Sequence, residues 1–152
     1  MQKNTQQLSF SALFISKRKL KSEFFDQMNL LLDWAAIDIE IRKHYNKGFS
    51  VAGRSSYSGL LLFKMGLLQT WYGLSDYEVE EKVNDSLSFM KFVGLTLEYD
   101  VPDHYVLSRF RTELTQKGAY EKLMEQINIA AALVLISGVT AFSLTLSENK
   151  TE

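Results

Sequence analysis

Apolar residues recur along most of this chain at helical rather than strand spacing. From Ser22 onward, Phe24, Phe25, Met28, Leu31 and Leu32 fall three and four residues apart and line one face. Ser22 offers the short hydroxyl of an N-cap, and Glu23 places a negative charge in the first turn. Upstream, Leu8, Phe10, Ala12 and Phe14 alternate, but the run is too short to choose between strand and helix. Ile37, Ile39 and Ile41 also alternate with polar residues, a strand signal when read alone. Ile37, Ile41 and Tyr45 fit helical spacing as well, and a helix closed by Asn46-Lys47-Gly48 is the reading adopted.

Residues 56–72 are the most apolar element. Leu60, Leu61, Leu62, Phe63, Met65, Leu67, Leu68 and Trp71 leave few polar faces, so this helix is expected at the centre of the domain. Gly59 and Gly66 lie seven apart, near one face. Each costs about 1 kcal/mol against alanine in a helix, and close approach of another helix would explain them. Gly73 ends the helix, and Ser75-Asp76-Tyr77-Glu78 opens the next as a capping box. Residues 86–93 read as a short helix stopped by Gly94. Pro102 and Asp103 start another, with Val106, Leu107, Phe110 and Leu114 as its apolar side. Gly118 separates it from a last helix beginning near Ala119. Five to seven helices with little or no strand predict an all-α, compact multi-helix bundle, one portion of which is expected to resemble a helix-turn-helix.

Composition supports that class. The chain has 152 residues, 46% hydrophobic and 23% charged, enough for one domain with a real core. One proline and eight glycines are too few for the turns of an all-β sandwich. The absence of cysteine excludes disulfides and thiolate metal sites and fits a cytoplasmic location. The polar start Met1-Gln2-Lys3-Asn4-Thr5 lacks the pattern of a secretory signal.

The net charge of −1 exerts no global pull on nucleic acid, but its distribution is uneven. Residues 1–54 carry nine Lys/Arg against five Asp/Glu (+4), residues 55–100 three against seven (−4), and the remainder five against six (−1). The basic cluster Lys17-Arg18-Lys19-Leu20-Lys21 is the natural place for phosphate contacts, although ordinary surface charge accounts for it equally well.

Most chemical motifs fail on inspection. Residues 48–55 nearly spell a phosphate-binding loop, but Arg54 stands where the lysine belongs and no buried strand precedes it. Asp76, Glu78, Glu80, Glu81 and Asp85 fit no calcium loop, and a solvated helix face is the simpler reading. His44 and His104 are the only histidines, and neither has a second histidine at zinc-ligand spacing. No nucleophile-elbow pattern supports a Ser–His–Asp triad. Along Pro102–Leu114, His104, Ser108 and Arg111 share one face, with Tyr105, Arg109 and Thr112 on the adjacent one. Arginine and hydroxyl side chains opposite an apolar stripe suit DNA, although solvated helices look similar. Ile129–Leu146 is uncharged over eighteen residues, the lower edge of a membrane span. Ser137, Gly138, Thr140, Ser143 and Thr145 dilute it, so a core helix followed by a short strand or frayed tail is expected instead.

Several stretches together resemble one family. They are Ile15–Lys19, Asp33-Trp34, Val51–Arg54, Gly59–Met65, Leu68–Glu80, Asn84–Phe89 with Phe92 and Gly94, and above all Pro102-Asp103-His104 followed by Leu107-Ser108-Arg109-Phe110-Arg111. In order and spacing they resemble the N-terminal region of insertion-sequence-five-type (DDE) transposases over roughly residues 10–128. The departures are Ser55-Ser56, where the family usually has a proline, and Tyr105-Val106, where it often has small hydroxyl residues.

The resemblance implies a helical DNA-binding domain over residues 1–128 that recognises the element's terminal inverted repeats and self-associates. Charge, helix face and the resemblance together make Lys17, Arg18, Lys19, Arg109 and Arg111 the expected DNA contacts, followed by His104 and Ser108. The family's catalytic domain uses three carboxylates to hold two divalent metals for attack on phosphate. Residues 129–152 form a divergent apolar tail with no acidic residue before Glu148, so no catalytic or metal-binding residue is expected in this chain, and a truncated or frameshifted copy, inactive alone, is the expectation. The alternatives are an interaction module that pairs with and inhibits a full-length transposase, and a small membrane-tethered protein.

Overall fold

The computed structural model describes the backbone of residues 23–46 and 57–148 and the side chains of 24–46, 57–133 and 136. Among these residues there are seven helices and no strand: α1 (Glu23–Leu31), α2 (Trp34–His44), α3 (Gly59–Tyr72), α4 (Asp76–Asp85), α5 (Leu87–Val93), α6 (His104–Gln116) and α7 (Tyr120–Glu148). The fold is the all-α bundle the apolar spacing predicts. Residues 37–45 are helical through His44, so the i, i+4 spacing of Ile41 and Tyr45 prevails over the local alternation, and both residues are buried.

Helix α3 is the centre, packed against α2, α4, α5 and α6. Leu62, Phe63, Met65, Leu67 and Leu68 on it are completely buried, as an element with no polar face requires. Ser58 caps its start by accepting a hydrogen bond from the Leu61 N–H, and Gly73, at φ 64°, ends it. That left-handed conformation is costly for any residue with a Cβ. Both glycines of α3 lie at close approaches. A Cβ on Gly59 would fall 2.6 Å from Ile41 Cγ2 on α2, and one on Gly66 would collide with the Tyr120 hydroxyl of α7.

Helix α1 is held by aromatic packing. Phe25 stacks on Phe92 with ring centroids 4.7 Å apart, and Phe24 meets Trp71 edge-on at 5.0 Å. Offset and edge-to-face arrangements are those the ring quadrupoles favour.

Helix α7 corrects the expectation for the tail. It runs unbroken for 29 residues, about 43 Å, through Ile129 and on to Glu148, with no strand. Ala119, Leu123, Met124, Ile127 and Ala131 bury one side of its first turns, which anchors the helix. Among the described residues no helix is long and apolar enough to cross a membrane.

Candidate nucleic-acid interface

Helix α6 begins where Asp103 accepts a hydrogen bond from the Val106 N–H at 2.8 Å. Leu107, Phe110 and Leu114 are buried on its inner side. Rotation is then fixed, and the exposed positions are Tyr105, Arg109, Thr112, Thr115 and Gln116, of which Tyr105, Arg109, Thr112 and Gln116 follow spacings of four, three and four. This stripe carries one cation and no carboxylate. Ser108 beside it lines, with Arg109, Thr112, Glu113 and Gln116, a shallow depression of about 380 Å³.

The two remaining sequence candidates on α6 face inward, toward α3 and α4. Arg111 donates to both oxygens of Asp76, Nη1 to Oδ1 and Nη2 to Oδ2, each at 2.8 Å. Its Nη1 also donates to Gln69 Oε1 at 3.2 Å, and Gln69 Nε2 donates to Asp76 Oδ1 at 2.6 Å. The hydrogen bond from Arg111 holds the Asp76 carboxyl below the usual aspartate range and raises the guanidinium further in return. Arg111 therefore ties three helices together rather than projecting from the outer side of α6, where the sequence reading placed it.

His104 is fixed in the same manner. Its backbone N–H donates to Glu80 Oε2 at 2.9 Å, and Nδ1 lies 2.8 Å from the same oxygen. A ring nitrogen facing a carboxylate carries its proton there, which in the neutral ring leaves Nε2 as acceptor.

These two clamps revise the reading of the acidic cluster. Asp76 and Glu80, four apart, share the face of α4 that meets α6. Glu81 and Asp85 are the solvated residues, and Glu78 closes the capping box, accepting from the Ser75 N–H at 2.7 Å. Among the described residues no group of His, Asp and Glu is placed to hold a metal ion. Lys17, Arg18, Lys19 and the loop-like stretch 48–55 lie outside the described residues.

Two connections, Gly73–Ser75 and Lys117–Ala119, have the three-residue length and left-handed glycine common in helix-turn-helix turns. The helix after the first is α4, whose five carboxylates against Lys82 give −4 and make it a poor groove reader. The helix after the second is α7, whose exposed side carries Ile129, Leu133 and Ile136.

One partly buried cation lies away from the exposed stripe of α6. Lys64 Nζ donates to the Phe92 carbonyl at 3.1 Å, at the C-terminal end of α5, and sits 4.1 Å over the Trp34 ring. Burial pushes its pKa down to about 8. The unfolded chain, with an ordinary lysine near pKa 10.5, binds more protons than the folded one between those values. Folding stability from this group therefore rises with pH from about 8 to 10.5 and is lowest below. Lys64→Met is expected to shift Tm most favourably near pH 7, relative to the parent, with the difference moving against the variant toward pH 10. A Tm difference independent of pH would show that the ammonium is not penalised.

The chain matches the family model described as "Transposase domain (DUF772)" over residues 13–113. The chain belongs to this transposase-domain family. The matched span ends one residue before Leu114, so it takes in Tyr105, Arg109, Thr112 and both clamps of the transposase domain, and leaves out α7. No solved structure matches the chain.

Proposed function

We propose that this transposase domain binds duplex DNA during transposition, as the recognition part of an insertion-sequence-five-type enzyme, and that the outer side of α6 reads the element's terminal inverted repeat. One observation carries this reading. In a transposase-family chain, the clamps to Asp76 and Glu80 present Ser108, Arg109, Thr112 and Gln116 outward on a rigid helix free of carboxylates along its exposed stripe. Arg109 supplies a phosphate or guanine contact, and the hydroxyl and amide groups give shorter hydrogen bonds. Lys17, Arg18 and Lys19 add phosphate contacts from a second position. His104 contributes through Nε2, and Arg111 acts as a positioning residue.

The test is fluorescence anisotropy with a labelled repeat at moderate salt. Arg109→Ala is expected to weaken binding roughly tenfold, with unchanged Tm. Unchanged affinity would remove α6 from the interface.

A second reading, an interaction module pairing with another transposase chain, is favoured by Ile129, Leu133 and Ile136. They lie on one side of α7 and are 57%, 60% and 60% exposed. Leu133→Glu would abolish co-purification with a full-length relative if this surface forms the contact.

A further inference from the structure

Three rings meet at the start of α6 in a way that hydrogen bonding to duplex DNA does not use. The Tyr77 ring of α4 meets His104 at 5.7 Å, and His104 meets Tyr105 at 4.1 Å. Tyr77 is 57% exposed and Tyr105 68%. Single exposed aromatics are ordinary on protein surfaces. A row of three contributed by two helices, exposed at both ends, is a larger apolar surface. Its middle member cannot swing away, because Glu80 holds both the ring and the backbone of His104.

The surroundings select the ligand. Arg109 lies one turn beyond Tyr105, its Nε donating to the Tyr105 carbonyl at 3.4 Å. On the other side, α4 exposes Glu78, Glu81 and Asp85, which repel phosphate. A strand can therefore run along α6 but not across α4, and the part of it that can reach the rings is a base. In duplex the base faces are occupied by their neighbours, so the base must be unstacked.

We propose that Tyr105, backed by His104 and Tyr77, is a stacking platform for one unpaired nucleobase of the bound DNA. This rests on the DNA-binding reading above and adds a ligand class to it. Every base offers a flat π face, so the platform is indifferent to base identity, and the adjacent phosphate meets Arg109.

The experiment uses the full chain and three probes: the paired repeat, the same repeat with one unpaired 2-aminopurine, and a single strand containing 2-aminopurine. Anisotropy reads affinity, and the probe's emission reads stacking. The unpaired probe is expected to bind about tenfold more tightly than the paired one and to be quenched on binding. Tyr105→Ala should lose both the advantage and the quenching while keeping the parent's Tm. Tyr105→Phe should retain all of them. Binding of the paired repeat with no preference and no quenching overturns the platform and leaves the duplex reading standing. Quenching by the single strand without duplex binding does the reverse. Quenching that persists in Tyr105→Ala overturns the platform, as does binding of none of the three DNAs. Tyr105-dependent binding of an arginine-rich peptide in place of the 2-aminopurine strand also overturns it and assigns the rings to a protein partner.

Discussion

Replacing Gly66 with leucine is expected to destabilise the domain by about 1–3 kcal/mol and to lower Tm by roughly 4–12 °C. Gly66 is buried on α3, and the atom a new Cβ would meet is the Tyr120 hydroxyl. Tyr120 has little room to yield, because its ring packs edge-on against the fully buried Phe63 at 6.1 Å. Leucine adds three more carbons beyond the Cβ, so α7 must move off α3 or the ring must leave its place. The gain in helix propensity on replacing glycine, at most about 1 kcal/mol, offsets only part of this. Gly59→Leu meets Ile41 in the same way and should behave similarly. A melting temperature equal to the parent's in Gly66→Leu would show that α7 does not pack on α3 as closely as the structure has it.

The second large effect lies in the clamp between α6 and α4. Arg111→Ala and Asp76→Ala are each expected to cost about 1–2 kcal/mol, more than an exposed surface pair and less than a fully buried one. Both side chains are partly shielded, at 35% and 26% exposure, and the contact is bidentate. Asp76→Ala leaves Arg111 with Gln69 alone, whereas Arg111→Ala leaves Asp76 its bond from Gln69. A double-mutant cycle should show the two losses to be strongly non-additive, and simple additivity would deny the clamp. The pair also sets an acid limit. The folded pKa of Asp76 is depressed, so its contribution is present above the ordinary aspartate value of about 4 and is lost as pH falls through the lowered one. In Arg111→Ala that part of the acid sensitivity should shrink.

The clamps also show where reading the sequence alone stops. Ser75 and Glu78 form the predicted capping box, and Gly73 and Gly94 end helices with positive φ, because such features are decided within four or five residues. The buried side of α6 was equally legible, since Leu107, Phe110 and Leu114 recur at helical spacing. Which polar residues of α6 face solvent was not. His104 and Arg111 flank the apolar stripe, and whether they point outward depends on whether a helix with matching carboxylates lies beside them. Asp76 and Glu80 supply that match from 35 and 24 residues away in the chain. Their i, i+4 spacing was visible, but not its orientation toward α6. The same argument moves the candidate DNA contacts toward Arg109, Thr112 and Gln116. Helix α7 failed differently. Serine, threonine and glycine in Ile129–Leu146 weaken helix propensity locally, yet the helix continues from turns already anchored by Leu123, Met124 and Ile127.

The central claim is that this transposase domain recognises DNA, and a salt-dependent titration of the purified chain tests it most directly. The flanking inverted repeat and a scrambled duplex of equal length are the two probes. The account predicts tighter binding to the repeat, falling steeply as salt rises, because cationic side chains displace counterions from the backbone while α6 distinguishes the bases. Equal binding to both probes, or none to either, would contradict it.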